Sequence, residues 1–294
     1  MAIKSINSLA REAEEQNLRL SDLVVREEAV EAGVAEATVR GRMHDMLIAM
    51  IEAVKAGVDK SGPSVSGLTG GEALRYSNYL RERKSLLGDV AAKAAAYALA
   101  ASCVNASMGV IVAAPTAGSC GILPGVLLSL RETHGFTEEE LVSGLLAAAG
   151  VGQAIAMRAT LSGAEGGCQA ECGSAAAMAA AAAVELMGGA PEMCCHGAAL
   201  ALKNSLGLVC DPVAGLVEVP CVKRNGVYAV VALTAADMAL AGIQSAIPLD
   251  EVIDAMHAIG QVMPATLRET AKGGLAATPT GCRLSAKVFP EQAE

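Results

Sequence analysis

Aromatic side chains are nearly absent from this 294-residue chain: it has no Trp, two Phe and four Tyr, although 53% of its residues are hydrophobic. Without rings to fill space, the core must come from Ala, Val, Leu and Met on closely approaching backbones. Positive charge is scarce too. The formal net charge of -9 at pH 7 excludes the broad basic surface that nucleic acid or an anionic membrane attracts. Long apolar runs are also missing: mean hydropathy is +0.43, yet Arg158, Glu185, Asp237 and several Gly and Pro interrupt the apolar stretches before they reach the roughly 20 residues of a membrane span. The N-terminal MAIKSINSLAREAEEQ carries acids and lacks the apolar region of a signal peptide, so a cytoplasmic location is expected. There the nine Cys meet a reducing milieu. That argues against a disulfide scaffold and toward metal ligation, reactive thiols or small buried hydrophobes.

No repeat of fixed period and no Ser/Gly linker divides the chain. We read one all-α domain over 1–294, rich in Ala and Gly, with a helical lead-in at 1–58 and a C-terminal tail at 270–294. Apolar spacing predicts a short helix at 5–16, then one long helix from Ser21 to about Gly57, open to interruption near Gly33. The stretch 59–73, DKSGPSVSGLTGGEA, is a loop too long for a mere turn, and such loops are often functional. Beyond it, Ala-dominated segments predict helices. They are separated by loops at 114–125, 163–173 and 210–221, expected to be functional and to surround a buried site, and a last helix is predicted over 249–270. The short runs GVIVAAP and VYAVVALT fit strand or buried helix equally.

Structural zinc sites repeat close Cys pairs. Cys168, Cys210 and Cys221 are separated instead by 41 and ten residues. Each lies in or beside a Gly- or Pro-rich loop, where backbone can approach an inorganic core and donate N–H groups to sulfides. Pro212 and Pro220 stiffen the flanks of Cys210 and Cys221. Three thiolates on preset loops can hold a cluster and leave one iron without a protein ligand, the open position that Lewis-acid chemistry requires. From spacing alone, simple packing among Ala-rich helices carries the larger weight. Cys103, Cys120, Cys172, Cys194 and Cys195 are read as core residues, although Cys172 would face the same way as Cys168 if that loop were helical. Cys282, on the Gly-rich tail, is a candidate fourth ligand or a plug for the open iron.

The stretches SVSGLTGGEA, MGVIVAAPTAGSCGILPG, GAEGGCQAECGSAAAMAAAAAVELMGG and LGLVCDPVAGLVEVPCVKRN closely resemble the α-chain, or catalytic domain, of bacterial iron–sulfur-dependent L-serine dehydratases. The resemblance runs from about residue 60 to the C-terminal GGLA. It implies a largely helical fold, a [4Fe–4S] cluster on Cys168, Cys210 and Cys221, a fourth iron that takes the substrate, and conversion of L-serine to pyruvate and ammonium. Some relatives fuse an α/β domain ahead of this region. Here none precedes residue 60, so the resemblance implies a separate β-chain that supplies part of the active site. Cys282 resembles a tail cysteine that reaches the open iron in some relatives, but RLSAKVFPEQAE follows it here. An oligomer is expected of so apolar a chain.

Within that frame Ser64, Ser66 and Thr69, with nearby backbone N–H groups, are expected to hold the substrate carboxylate; the alternative is an ordinary solvated loop. Asn105 and residues 115–120 are expected to line the same pocket. The base is not legible. Glu165 and Glu171 flank Cys168 and serve either as base or as acceptors around the ligands; His196 lies in MCCHGAAL, and His44, His134 and His257 have no better claim. Rival readings are a related iron–sulfur lyase acting on L-cysteine or L-threonine, and a non-catalytic helical metal-binding subunit. A pyridoxal phosphate dehydratase would need a Schiff-base Lys and a strand-borne phosphate loop, and neither pattern is evident.

Overall fold

Ala pays no side-chain entropy in a helix and lets backbones approach, and the run richest in it, 174–186, lies at the centre of the molecule. The computed structural model describes residues 3 and 5–290. In chain order the helices are α1 (Ile6–Glu15), α2 (Leu20–Ala32), α3 (Glu36–Val58), α4 (Glu72–Glu82), α5 (Gly88–Asn105), α6 (Ile122–His134), α7 (Glu138–Arg158), the short α8 (Gly163–Gly166), α9 (Ser174–Leu186), α10 (Pro191–Lys203), α11 (Cys221–Leu240), α12 (Leu249–Val262) and α13 (Pro279–Val288). No strand occurs among the described residues, only isolated bridges at Pro63–Gly70 and Cys210–Arg268, so the fold is all-α as expected.

Every residue of α9 from Ser174 to Glu185 is buried, ringed by α6, α7, α10 and α11. Close approach recurs between α5 and α6. A Cβ on Gly121 would fall 2.1 Å from the Ala98 carbonyl oxygen, and one on Gly125, a turn later, 2.6 Å from that of Ala94. Among the described residues α7 alone has the length and hydropathy of a membrane span, and 72% of that window is buried inside the molecule.

Several expected boundaries shift, each for a local reason. The helix expected over 21–57 is two: Gly33 takes the left-handed conformation at φ 65°, closing α2, and α3 starts at Glu36. The lead-in expected over 1–58 is helical among its described residues: Ile6, Leu20 and Leu47 are fully buried and α1, α2 and α3 pack on α10, α7 and α5. The helix expected over 249–270 stops at Val262, because Pro264 pushes Met263 into extended conformation at ψ 130°. The 270–294 tail contains α13, capped by the Thr278 hydroxyl, which accepts from Gly281 N; its last four residues, 291–294, lie outside the described ones. VYAVVALT is inside α11, and GVIVAAP is irregular chain between α5 and α6.

Two predictions follow from this packing. Gly125→Ala forces a methyl into the Ala94 carbonyl and lowers stability by about 1–3 kcal/mol, read as a lower denaturation midpoint; an unchanged midpoint would show that α5 and α6 separate freely. The second concerns Glu185, 5% exposed, which accepts from Ser21 N at 3.2 Å while its other oxygen has no partner among the described residues. Burial raises its pKa from 4.5 to about 7. A raised carboxyl pKa makes folding favour the protonated form. Stability is therefore greatest below the unfolded value, falls as pH rises between the two, and stays reduced above the folded value. Glu185→Gln should flatten that slope and be more stable than wild type at pH 8 by at least about 1 kcal/mol; parallel pH–stability curves would refute this.

Candidate metal centre

Three chain segments meet beside the start of α9. The first runs from α8 through Gly167, whose φ is 75° and whose Cβ would lie 2.7 Å from Met263 Sδ and 2.9 Å from Leu208 O; only glycine fits there. Cys168 follows, and a single π-helical turn at Gln169–Gly173 leads into α9. The Gln169 side chain, fully buried, fastens this turn: Nε2 donates to Gly166 O and Met256 O at 2.9 and 3.0 Å, and Oε1 accepts from Gly207 N at 2.9 Å. The second segment, 209–211, lies along 267–269, with Cys210 N donating to Leu267 O at 2.9 Å and Glu269 N to Cys210 O at 2.7 Å. The third ends at Cys221, the first residue of α11. Asn225 joins it to the 116–121 wall, donating to Gly118 O at 2.8 Å and accepting from Gly121 N at 2.9 Å.

Cys168, Cys172, Cys210 and Cys221 are all buried free thiols. Cys168 is hydrogen-bonded to both Cys172 and Cys210, and Cys221 lies within reach of its charge. Arg224, one turn into α11, faces Cys168 while donating to Val209 O and Asp211 Oδ1, each at 2.9 Å. The two thiol hydrogen bonds and the Arg224 charge lower the Cys168 pKa well below its ordinary value against the cost of burial. The neighbours move the other way. Cys210 is raised by its bond to Cys168 and by burial, and burial pushes Cys221 up to about 12.

Among the described residues no three His, Cys, Asp or Glu converge tightly enough to hold a single metal ion. The site nevertheless fits a cluster that spreads its ligands over several irons. Its donors are soft thiols on three fastened segments, the half-buried Arg224 opposes their charge, and a Cβ on Gly163 would fall 3.1 Å from Cys210 Sγ and 2.4 Å from Glu171 Oε2, so bare backbone is required beside the thiols.

The remaining expected site residues divide. Glu171 faces the thiols, its Oε2 3.6 Å from Cys210 Sγ and its Oε1 accepting from Thr116 Oγ1 at 2.8 Å; burial and then the Cys168 charge raise its pKa to about 7. Glu165 points elsewhere and accepts from Thr160 Oγ1 at 2.6 Å. His196 accepts from Ser245 N at 3.3 Å, at the connection between α11 and α12, and His44 pairs with Glu138 at 3.1 Å. Cys172, expected in the core, is indeed buried but sits against Cys168, because the π turn wraps a four-residue spacing back on itself. Cys282 lies in the first turn of α13 with its thiol on Ala276 O at 3.8 Å. Cys103, Cys120 and Cys195 are buried against Glu72, Ala101 O and Ile6 O.

The Ser/Gly loop departs most from expectation. The hydroxyls of Ser64 and Thr69 both donate to Glu218 Oε2, the latter at 2.9 Å, so the donors expected to hold a substrate carboxylate hold a carboxylate of the protein. Ser66 Oγ accepts from Leu68 N at 3.1 Å, and Asn105 Nδ2 donates to Ala117 O at 3.2 Å, tying α5 to the wall of the site. Sequence reasoning named Thr116 only as part of the 115–120 stretch, and it missed Glu218, Arg224 and Asp211. The Glu218 carboxylate, in the loop that ends at Cys221, should therefore be what orders residues 61–71. Limited proteolysis checks this: Glu218→Ala should raise cleavage in that loop several-fold and Glu218→Gln, which keeps an acceptor, much less. Equal cleavage of wild type and both variants would remove the role.

A family model described as the serine dehydratase alpha chain matches residues 15–276. A Bacillus subtilis protein named probable L-serine dehydratase, alpha chain, is 49% identical over 286 residues, covering 97% of this chain and 95% of its own length. The L-serine dehydratase alpha chain of Peptoniphilus asaccharolyticus is 45% identical over 277 residues, covering 94% and 95%. The L-serine dehydratase of Streptomyces coelicolor is 39% identical over 282 residues, 94% of this chain but 61% of that longer protein. With the GCQAE and CDPVAGLVEVPC stretches inside the matched region, the chain belongs to the serine dehydratase alpha-chain family.

Proposed function

We propose that this chain is the catalytic subunit of an L-serine dehydratase, working with a separate β-chain and releasing pyruvate and ammonium from L-serine, with a [4Fe–4S] cluster on Cys168, Cys210 and Cys221. The observation that carries the reading is the convergence of three buried thiol-bearing segments around Arg224 and Glu171. The chemical problem is to remove a weakly acidic α-proton and expel hydroxide, a poor leaving group. When bound, such a cluster supplies a Lewis-acidic iron for the departing oxygen. The chain's own groups do the rest. Arg224 offsets the negative charge that accumulates among the thiolates, while Asp211 holds the guanidinium in place. Of the three base candidates Glu171 alone faces the thiols, and Thr116 fixes one of its oxygens so that the other can hold or release a proton beside them. Loss of water from serine leaves 2-aminoacrylate, which tautomerises and hydrolyses in water to pyruvate and ammonium.

The test is pyruvate release from L-serine by the anaerobically purified chain, alone and with its β-chain, with L-threonine and L-cysteine assayed alongside. Iron and acid-labile sulfide should each approach about four per chain. Cys168→Ser, Cys210→Ser and Cys221→Ser should each lose most of that iron, whereas Cys172→Ser and Cys282→Ser should keep it. Retention by any of the first three variants would mean that the ligand set is wrong, and a loaded complex that turns over another amino acid but not serine would overturn the substrate.

A further inference from the structure

Outside the thiol centre lies a second cavity of about 380 Å³, lined among others by Thr160, Glu165, His257, Gln261, Arg268 and Thr270. None of the cysteines lines it. Two opposite charges border it without meeting. Arg268 Nη1 makes one long bond, 3.4 Å, to the main-chain oxygen of Glu165, and its Nε is buried with no partner among the described residues. The Glu165 carboxylate accepts from a hydroxyl, Thr160 Oγ1, and no ion pair of either side chain occurs among the described residues. Buried polar groups in native structures almost always have partners, and a guanidinium N–H left without one has lost its hydration for nothing.

We propose that this pocket binds a small α-amino acid as its zwitterion, with the carboxylate on Arg268 and the ammonium on Glu165. The guanidinium fork matches a carboxylate in plane and spacing, and the carboxylate of Glu165 is a ready acceptor for an ammonium group. The two charges belong to different segments, and each segment carries a thiol. Glu165, in α8, lies three residues before Cys168, and Arg268 pairs through its main chain with Cys210. An amino acid bridging the pair therefore clamps together the segments that present Cys168 and Cys210. The ligand's identity as L-serine rests on the function proposed above; the pocket does not.

The test is calorimetric titration of the full-length chain with L-serine in both its anaerobically purified and its iron-free forms, the second of which removes iron as a competing ligand. Wild type should bind saturably, Arg268→Gln and Glu165→Gln should each weaken binding at least ten-fold, and hydrogen exchange in 160–170 and 208–211 should slow on binding. Two ligands tested on wild-type protein guard against misfolded variants: N-acetyl-L-serine, which lacks the ammonium, and L-serine amide, which lacks the carboxylate, should both bind at least ten-fold more weakly. Absence of saturable binding, or binding of either derivative as tight as that of L-serine, overturns the proposal. Turnover of serine by the loaded complex without such binding would overturn the pocket alone, and binding without turnover would support the pocket and overturn the dehydratase.

Discussion

The close approach of small side chains is the constraint on which the rest depends. With two Phe and no Trp in the chain, rigidity cannot come from interlocked rings. It comes from helices packed so tightly that a methyl group at Gly121 or Gly125 would strike the α5 backbone, and from α9, buried from Ser174 to Glu185. The turn bearing Cys168 and Cys172 runs directly into α9, so these thiols are mounted on the most enclosed element of the fold. The segment before Cys210 is tied to this turn through Gly207 N, which donates to Gln169 Oε1, and the start of α11 is tied to the 116–121 wall through Asn225.

Burying thiols in such a place sets an electrostatic problem that the chain solves with one cation. Arg224 is itself half-buried, its side chain 16% exposed, and would be costly alone; its bonds to Val209 O and Asp211 offset that cost. Asp211 then does a second job, its other oxygen accepting from Leu275 N at 2.7 Å. A Cβ on Gly274 would lie 2.4 Å from that same oxygen, which leaves glycine as the residue that can lie there. The Asp211 carboxylate thus helps fasten the segment leading to α13 to the thiol centre, and Cys282 lies exposed on α13.

The helical class was legible because Ala-rich runs without β-branched interruption have few alternatives, and Gly33 and Pro264 act on the backbone locally. The trio Cys168, Cys210 and Cys221 was legible as a motif, through resemblance, and its approach depends on pairings such as Cys210 with Leu267 and Gln169 with Gly207 that no local pattern encodes. Cys172 is in the core as expected, and its four-residue spacing from Cys168 was the signal that the two could face the same way. Glu165 and Glu171 look equivalent in GAEGGCQAE, and only the fold turns one toward Thr116 and the thiols and the other toward Thr160.

The engagement of Ser64 and Thr69 by Glu218 follows from the same economy. The 61–71 loop has little apolar surface to bury, and Val65 stands 75% exposed, so polar contacts must order it. A carboxylate from the loop that ends at Cys221 supplies them. The Ser/Gly loop and the Cys221 loop therefore hold one another in place. A substrate carboxylate approaching these hydroxyls meets donors already satisfied and an anionic neighbour. It can take them only by displacing Glu218, so recognition by this loop and order in this loop draw on the same hydrogen bonds.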